Sequence, residues 1–206
     1  MDSIYENAIQ GNCEKFTVLK EYIKPNPIRL GLIDCSLPKI KDKNFNTRCN
    51  TLILKNLELL KEKLEAFLNK YDRFKIGIIC ATTNSGVEEY ETTKNHMHYE
   101  LGNPAYFLRN YLNLKGYYAT VSTACSSGIK AFSLARDLIN KQVIDSAIVV
   151  CVDSISKLSV YGFNSLEVLT DKPCNPFSKN RTGMNIGEAC SIFMLEKEGG
   201  GIEIMV

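Results

Sequence analysis

The sequence predicts an α/β protein built on a largely parallel, mixed sheet that is flanked by helices. Apolar runs of strand length alternate with amphipathic runs of helical period, as in parallel strands joined by crossover helices. The chain has 206 residues, 45% hydrophobic and 23% charged, which suffices for a buried core. That length suits one domain or a domain and a half, and because no repeat or low-complexity linker divides it, we treat 1–206 as one domain.

The first predicted elements occupy residues 51–122. Leucines and Phe67 near helical spacing, with lysines and glutamates between them, predict a long surface helix over 51–71. An apolar run predicts a buried strand over 75–81 that ends in a Thr/Asn/Ser/Gly turn. A second helix is expected over 103–114, where Pro104 suits the first turn, and a strand is expected over 117–122.

The remaining predicted elements begin with a helix over 126–140. Its apolar positions are expected to face the interior: Ile129, Phe132, Leu134, Ala135, Leu138 and Ile139. Strands are predicted over 146–153, over 189–198 and, after a glycine break, over 201–206.

Charge and composition argue against several classes of protein. The 25 basic and 23 acidic residues are spread along the chain, so it lacks the basic patch that nucleic acids or membrane surfaces attract. No apolar run approaches the roughly 20 residues that span a bilayer, and the start lacks a signal-peptide pattern. We therefore expect a cytoplasmic protein with no nucleic-acid or membrane partner.

The chain has eight cysteines, but their spacing matches neither a disulfide framework nor a zinc site. Most of them, such as Cys80 and Cys151, lie in apolar runs typical of small core residues. They are Cys13, Cys35, Cys49, Cys80, Cys125, Cys151, Cys174 and Cys190.

Cys125 lies in a different setting, within the stretch "ATVSTACSSGIKAF". There a predicted strand passes into a predicted helix, and the open N–H groups of a helix start favour a nearby anion such as a thiolate. Ser126, Ser127 and Gly128 are small enough for a substrate to approach the thiol, and ligands in such folds bind at the carboxyl ends of strands. The local chemistry alone leaves open that Cys125 is a buried cysteine like the others.

Two motifs resemble the β-ketoacyl-acyl carrier protein synthases of the thiolase superfamily. The first is "TACSSG" at the predicted elbow, and the second is "NPFSKNRTGMNIGEA" some tens of residues later. The resemblance extends from about Asn7 and covers the N-terminal half of the family's duplicated fold. Within the family, the second motif and "YGFNSLEVLT" look most like the aryl polyene-type subgroup.

The resemblance implies roles for individual residues. Cys125 would be the nucleophile, and its backbone N–H would form part of the oxyanion hole. Arg181 and Glu188 would be structural charges that hold the loop under the active site, and Phe177 would pack beneath the same loop. The alternative for Arg181 and Glu188 is a solvated pair.

The family's reaction is a decarboxylative Claisen condensation, in fatty acid or polyketide-like lipid synthesis. The resemblance implies that the chain accepts an acyl group from an acyl carrier protein and uses no cofactor. It also implies a homodimer, or a heterodimer with a ketosynthase subunit, formed through the strand at 117–122.

The sequence departs from the family in its histidines. The family's catalytic histidines and lysine come from the C-terminal half, and we expect that half and the first strand to be missing here. We expect His96 and His98 to be surface residues that bind no metal, and the isolated chain to lack full activity and to expose strand edges. Two explanations of the short length remain open: the chain is a shortened piece of a longer protein, or the gene itself ends at residue 206.

A non-catalytic partner subunit and an inactive fragment remain alternatives to a ketosynthase. The missing histidines favour a partner subunit, whereas Cys125 argues against it because such partners typically lack the nucleophile. A cysteine hydrolase would need a histidine in a fitting motif, which neither His96 nor His98 has.

Overall fold

The computed structural model describes residues 6, 9–10, 16–20, 22–23 and 27–198. They divide into two compact units. The first unit holds the described residues up to Ser36 together with Ser154–Glu188, and the second holds Leu37–Asp153 together with the described residues from Ala189 onward. Cys13 and the strand predicted at 201–206 lie outside the described residues.

The strands and helices alternate along much of the described chain, as predicted. The strands are β1 (Thr17–Leu19), β2 (Ile28–Gly31), β3 (Ile76–Ala81), β4 (Tyr118–Val121), β5 (Ser146–Asp153), β6 (Ile186–Gly187) and β7 (Ala189–Glu196). The helices whose bounds are described are α1 (Arg48–Leu59), α2 (Lys61–Lys70), α3 (Val87–Thr93), α4 (His96–Tyr99), α5 (Asn103–Tyr111), α6 (Ser127–Asn140) and α7 (Lys157–Ser165).

A four-stranded sheet in the order β4-β3-β5-β7 forms the centre of the second unit. Strand β3 is parallel to both β4 and β5, whereas β7 is antiparallel to β5. The predicted mostly parallel, mixed sheet is therefore confirmed. Because β3, β4 and β5 run in the same direction, the loops that follow them leave the sheet at one edge.

Helices cover both faces of this sheet. Helix α6 packs on one face, in a core cluster of Ile79, Ala81, Ala131, Ala135, Ile139, Ile144, Ala147 and Val149. The alternate strand residues, among them Ile78, Cys80 and Ile148, are also buried, and helices α1 and α5 contact the strands there. Burial on both faces explains why the strand sequences are continuous apolar runs.

The helix predicted over 51–71 is interrupted at Leu60. That residue has φ −103° and ψ 7°, and it ends α1 and precedes α2. The break lets α2 bury Leu64 and Phe67, although Leu59 just before it is 76% exposed. Helix α1 is also more deeply buried than a surface helix, because it lies against β5 and β7.

The inward face predicted for α6 is partly wrong. Ile129 is 71% exposed, whereas Ala131, Ala135 and Ile139 are buried. Two residues span about 200° around a helix, so Ile129 lies on the side opposite Ala131. Phe132, Leu134 and Leu138 are partly buried and pack against the core cluster, as expected.

The other predicted elements of this unit are confirmed within a few residues at their ends. Helix α5 has Pro104 in its first turn. Strands β3, β4, β5 and β7 occupy the segments predicted over 75–81, 117–122, 146–153 and 189–198.

The two histidines differ in burial, and the prediction that both lie on the surface is wrong for His98. His96 is exposed, whereas His98 is 3% exposed. Nε2 of His98 lies 2.7 Å from the Lys43 carbonyl oxygen and Nδ1 lies 3.1 Å from Thr93 Oγ1. Both ring nitrogens therefore have partners inside the protein, which is why the ring is stable in the interior.

The first unit contains a three-stranded sheet in the order β1-β2-β6. Strand β2 is antiparallel to β1 and parallel to β6. The hydrophobic core of this unit contains Ile28, Leu30, Ile155 and Val160. Gly187 lies so close to Gly31 that a Cβ at position 187 would be 2.9 Å from the Gly31 carbonyl oxygen. A side chain at Gly187 would therefore push the two strands apart.

No helix among the described residues is long and apolar enough to cross a membrane.

The end of α2 is joined to the end of β7 by polar side chains. Glu196 Oε2 accepts hydrogen bonds from Lys70 Nζ and from the Tyr71 hydroxyl, both at 2.5 Å. These bonds lower the pKa of Glu196, and the bond to Glu196 raises the pKa of Lys70. Since the pKa of Glu196 is lower in the folded chain, its contribution to stability is present above the unfolded carboxyl pKa and is lost as the pH falls.

We predict that Glu196→Gln lowers the melting temperature at pH 7 by about 1–2 °C, because exposed ion pairs stabilise proteins only weakly. The difference from the wild-type chain should shrink as the pH falls through the lowered pKa of folded Glu196, because below that pKa the carboxyl group is protonated in both the folded and the unfolded state. Melting curves at pH 7 and pH 3 measure this difference, and Glu65→Gln, at an exposed glutamate of α2, is the control. An equal difference at both pH values would contradict the assignment.

Candidate active site

Cys125 lies in the elbow between β4, which ends at Val121, and α6, which begins at Ser127. The residue is exposed and its thiol is free. The elbow opens at the sheet edge where the carboxyl ends of β3, β4 and β5 lie side by side. The structure thus rules out a buried core position for Cys125, which the local sequence had left open.

The backbone immediately before the cysteine has an unusual conformation. Ala124 has φ +52°, in the left-handed region that residues with a Cβ seldom occupy. Such a conformation costs about 1–2 kcal/mol for an L-residue, so the surrounding structure must hold it. It reverses the chain between the strand and the helix within a few residues.

The Ser127 side chain holds this elbow together. Its Oγ accepts a hydrogen bond from the Thr123 N–H at 2.8 Å and donates one to the Ala124 carbonyl at 2.7 Å. The Ser127 N–H also donates to the Ala124 carbonyl, at 3.0 Å. Ser127 is buried, so water does not easily replace these bonds.

Ser126 adds a second, more exposed set of bonds. Its hydroxyl donates to the Thr123 carbonyl at 2.8 Å and lies 3.0 Å from Thr123 Oγ1. These contacts turn the Ser126 side chain back toward Thr123, and no side chain at the N-cap accepts a hydrogen bond from the first turn of α6. The positive end of the helix dipole is therefore left for a negative charge beside the cysteine.

Several other cysteines are protected by burial. Desolvation raises the pKa of Cys190 to about 12 and the pKa of Cys80 well above its ordinary value. Desolvation also raises the pKa of the half-buried Cys151. Cys49 is fully buried and donates its thiol hydrogen to the Ser85 carbonyl. Among the described cysteines, Cys35 and Cys125 are the exposed ones.

Asp153, at the end of β5, was not identified from the sequence. Its Oδ1 accepts hydrogen bonds from Thr82 Oγ1 at 2.9 Å, from the Thr83 N–H at 2.7 Å and from the Asn84 N–H at 3.3 Å. The carboxylate thereby fixes the turn after β3, at the same edge of the sheet as the elbow. An aspartate at the end of an apolar run is the only sequence signal of this role.

Phe177, Arg181 and Glu188 belong to the first unit. Glu188 is 8% exposed; its Oε1 accepts a hydrogen bond from the Ile33 N–H at 2.7 Å, and its own N–H donates to the Gly31 carbonyl at 2.9 Å. It is therefore not a solvated charge. Arg181 is exposed and donates to the Ser178 carbonyl at 3.2 Å.

The packing predicted for Phe177 is not observed. The side chain is fully exposed, at 103% of its reference surface, and its φ is +62°. The left-handed backbone directs the chain through a turn in an exposed loop, and no buried surface lies beneath the ring. The sequence motif could not reveal this conformation because Phe rarely adopts it.

The mixed sheet and the exposed thiol in a strand-to-helix elbow define the class of the protein, that of α/β folds that present a cysteine at the carboxyl edge of a sheet. Residues 76–199, more than half of the chain, match the family model for the N-terminal domain of the beta-ketoacyl synthases. The chain therefore belongs to the β-ketoacyl synthase family, and the predicted match to the family's N-terminal half is confirmed.

Individual relatives agree with this assignment. Over 90 residues the chain is 31% identical to the ketoacyl synthase alpha subunit of the tetracenomycin polyketide synthase of Streptomyces glaucescens. That match covers 40% of this chain and 21% of the relative.

Solved structures show the same fold. The structure of the ketosynthase ApeO in complex with its chain length factor ApeC, from Xenorhabdus doucetiae, matches with a TM-score of 0.88 and 31% identity over 97% of this chain and 54% of that one. A β-ketoacyl synthase from Burkholderia phymatum matches with a TM-score of 0.80 and 16% identity, over 96% of this chain and 55% of that one. The fold is thus the predicted thiolase-like fold, and the chain spans about half the length of these proteins.

We predict that Ser127→Ala lowers the free energy of unfolding by about 1 kcal/mol, because the Thr123 N–H and the Ala124 carbonyl lose their side-chain partner. Alkylation of Cys125 should also become slower as the elbow relaxes. Urea unfolding and the rate of iodoacetamide labelling measure the two effects.

Ser126→Ala is the matched control, because its bonds are exposed and water replaces them. Its loss of stability should be smaller than that of Ser127→Ala. Equal stability of Ser127→Ala and the wild-type chain would refute the role of this hydroxyl.

Proposed function

We propose that the chain is a condensing-type acyltransferase in which Cys125 accepts an acyl group from the thioester of an acyl carrier protein. The exposed thiol in the held elbow, at the start of α6, is the observation that supports this proposal most directly. Membership of the β-ketoacyl synthase family supports the same chemistry. The presence of Cys125 favours this role over that of a non-catalytic partner subunit.

In the proposed transfer, the Cys125 thiolate attacks the carbonyl carbon of the thioester. A new bond from Sγ to that carbon forms and the bond to the carrier's sulfur breaks, so the carrier's thiolate leaves and takes up a proton. The carbonyl oxygen carries the negative charge in between, and we assign the Cys125 backbone N–H as one donor to it. The helix start stabilises both this oxyanion and the attacking thiolate.

Condensation is the second proposed step. A malonyl thioester loses carbon dioxide, the resulting carbanion attacks the acyl carbon on Cys125, and Sγ leaves as a thiolate. This step needs groups that stabilise the malonyl carbonyl. Neither His96 nor His98 lies in a motif that matches the family's catalytic histidines. We therefore propose that the residues of this sequence carry out the acyl transfer. Full 3-oxoacyl-acyl carrier protein synthase activity requires, in addition, the histidines of the family's second half.

A carrier protein as partner is supported by the exposed lysines of one loop. We define the lysine loop as residues 39–46, in which the side chains of Lys39, Lys41 and Lys43 are all exposed. One of the solved neighbours is an acyl-carrier protein bound to its ketosynthase, AntDE:AntF. We propose that the lysine loop attracts an acidic carrier surface, since opposite charges guide association.

Other features of the proposal concern the first unit and the biological context. Glu188 is proposed to support the loop segment at Gly31 and Ile33, and Arg181 the turn at Ser178. The product is proposed to be a fatty acid or polyketide-like lipid, of the aryl polyene type, made in the cytoplasm. The 31% identity to the ApeO complex and to the polyketide synthase subunit supports a polyketide-like product.

We also propose a homodimer, or a heterodimer with a ketosynthase subunit, through β4. This strand pairs with β3 on one side, and its other edge has no partner strand among the described residues. Tyr106 and Tyr118 are exposed beside that edge, with ring centroids 6.0 Å apart. An open edge flanked by aromatic rings is suited to pairing with a second chain.

The proposed acyl transfer predicts that octanoyl-acyl carrier protein labels Cys125 selectively at pH 7.5. Cys190 should remain unlabelled, because its pKa of about 12 keeps it as a thiol at that pH. Peptide mass analysis locates the label; Cys125→Ala should abolish it and Cys35→Ala, at the other exposed cysteine, should not. Labelling spread over several cysteines would refute the proposal.

The proposed interface predicts that Tyr118→Asp converts a dimer into a monomer, because it adds a charge beside the paired edges. Light scattering during size-exclusion chromatography measures the mass. Tyr99→Asp, at another exposed tyrosine, is the control and should leave the mass unchanged. A wild-type chain that is monomeric at all concentrations, or a Tyr118→Asp dimer, would refute this interface.

A further inference from the structure

The backbone of the lysine loop is held by side chains from the interior. Three consecutive carbonyls in it, those of Lys43, Asn44 and Phe45, each accept a hydrogen bond from a different buried side chain. Loop carbonyls on a surface are ordinarily hydrated by water, so this arrangement is unusual for a loop that is exposed at most of its residues.

The three donors come from three helices of the second unit. His98 Nε2, from α4, lies 2.7 Å from the Lys43 carbonyl oxygen. Asn103 Nδ2, from α5, donates to the Asn44 carbonyl at 2.9 Å, and Asn50 Nδ2, from α1, donates to the Phe45 carbonyl at 2.9 Å. Since a carbonyl only accepts hydrogen bonds, His98 must carry its proton on Nε2 to make this contact.

The donors are themselves fixed. His98, Asn103 and Asn50 are 3%, 1% and 0% exposed. Asn50 Nδ2 also donates to Asn103 Oδ1 at 2.8 Å, and Asn103 Nδ2 also donates to the Met97 carbonyl at 2.7 Å. The loop backbone is thus tied to a buried network whose members have little freedom to move.

Some side chains of the lysine loop pack against the protein, and others extend into solvent. The Phe45 ring packs against the rings of Tyr106 and Phe107, at centroid distances of 5.8 and 5.6 Å. Lys41 and Lys43 remain exposed. A rigid backbone below exposed lysines keeps their positive charges in fixed places, which lowers the entropic cost of binding an acidic partner.

We propose that His98 is a positioning residue for carrier docking: through the Lys43 carbonyl it holds the lysine loop in the conformation that the acidic carrier binds. This inference rests on the proposed function. It gives the buried histidine a role outside the chemical step, in which the thiol of Cys125 acts. His98 contacts neither substrate nor the reacting atoms in this role.

The test compares two acyl donors for Cys125 in single-turnover reactions. Octanoyl-acyl carrier protein needs the lysine loop, whereas octanoyl-N-acetylcysteamine, which has no protein, does not. His98→Phe replaces the imidazole with an aromatic ring that has no nitrogen, so it should raise the half-saturating concentration of the octanoyl carrier about 3- to 10-fold, the effect of losing one hydrogen bond. The rate with the small thioester should change less than about 2-fold.

Two further variants make the comparison specific. His98→Gln retains an N–H near the position of Nε2 and should restore much of the carrier affinity. His96→Phe makes the same substitution at the exposed histidine and should leave both donors unaffected. Should His98→Phe fold poorly, His98→Leu replaces it, because it also removes both ring nitrogens while it keeps an apolar side chain in the buried position.

The outcomes separate the inference from the proposed function. The positioning role is supported if His98→Phe raises the half-saturating concentration of the octanoyl carrier and leaves the rate with the small thioester unchanged. Restored carrier affinity in His98→Gln supports it further. An unchanged carrier response in folded His98→Phe, or an equal loss with both donors, overturns it while acyl transfer stands. A wild-type chain that the octanoyl carrier does not acylate overturns the carrier proposal and this inference together.

Discussion

The candidate site depends on the left-handed conformation of Ala124. This residue places a chain reversal between β4 and α6, and the conformation persists because Ser127 bonds to the backbone on both sides of it. With the reversal in place, Cys125 is exposed next to a helix start whose first turn has no side-chain cap. A cost of about 1–2 kcal/mol in the backbone is thereby offset by hydrogen bonds that are mostly shielded from water.

Burial separates the described cysteines of the second unit into two chemical groups. Strands β3, β5 and β7 place Cys80, Cys151 and Cys190 within or beside the core, where desolvation favours the neutral thiol. The loop after β4 places Cys125 outside the core. The same residue type thus packs in the core of the sheet, where burial makes it unreactive, and is a candidate nucleophile at the edge of the sheet.

The strands and the elbow were predictable because their signals are local. A continuous apolar run such as residues 146–153 is sufficient to predict a strand buried on both faces, and small residues around Cys125 are sufficient to predict a tight strand-to-helix junction. The exposure of Ile129 and the break at Leu60 were missed, since both depend on the direction from which a helix meets the sheet. The burial of His98 was missed because its partners, Lys43 and Thr93, are supplied by other segments.

By itself the sequence determined the alternation of strands and helices, the family, and the cysteine at the junction, because each is written in a short run of adjacent residues. Only the tertiary structure decided which thiols are shielded, that Ala124 is left-handed, that Glu188 bonds to the Ile33 backbone, and that Phe177 is exposed rather than packed. Most of those properties depend on groups far apart in the chain, such as Glu188 and Ile33. Their free energies come from desolvation and hydrogen bonding, which exist only once the chain has folded.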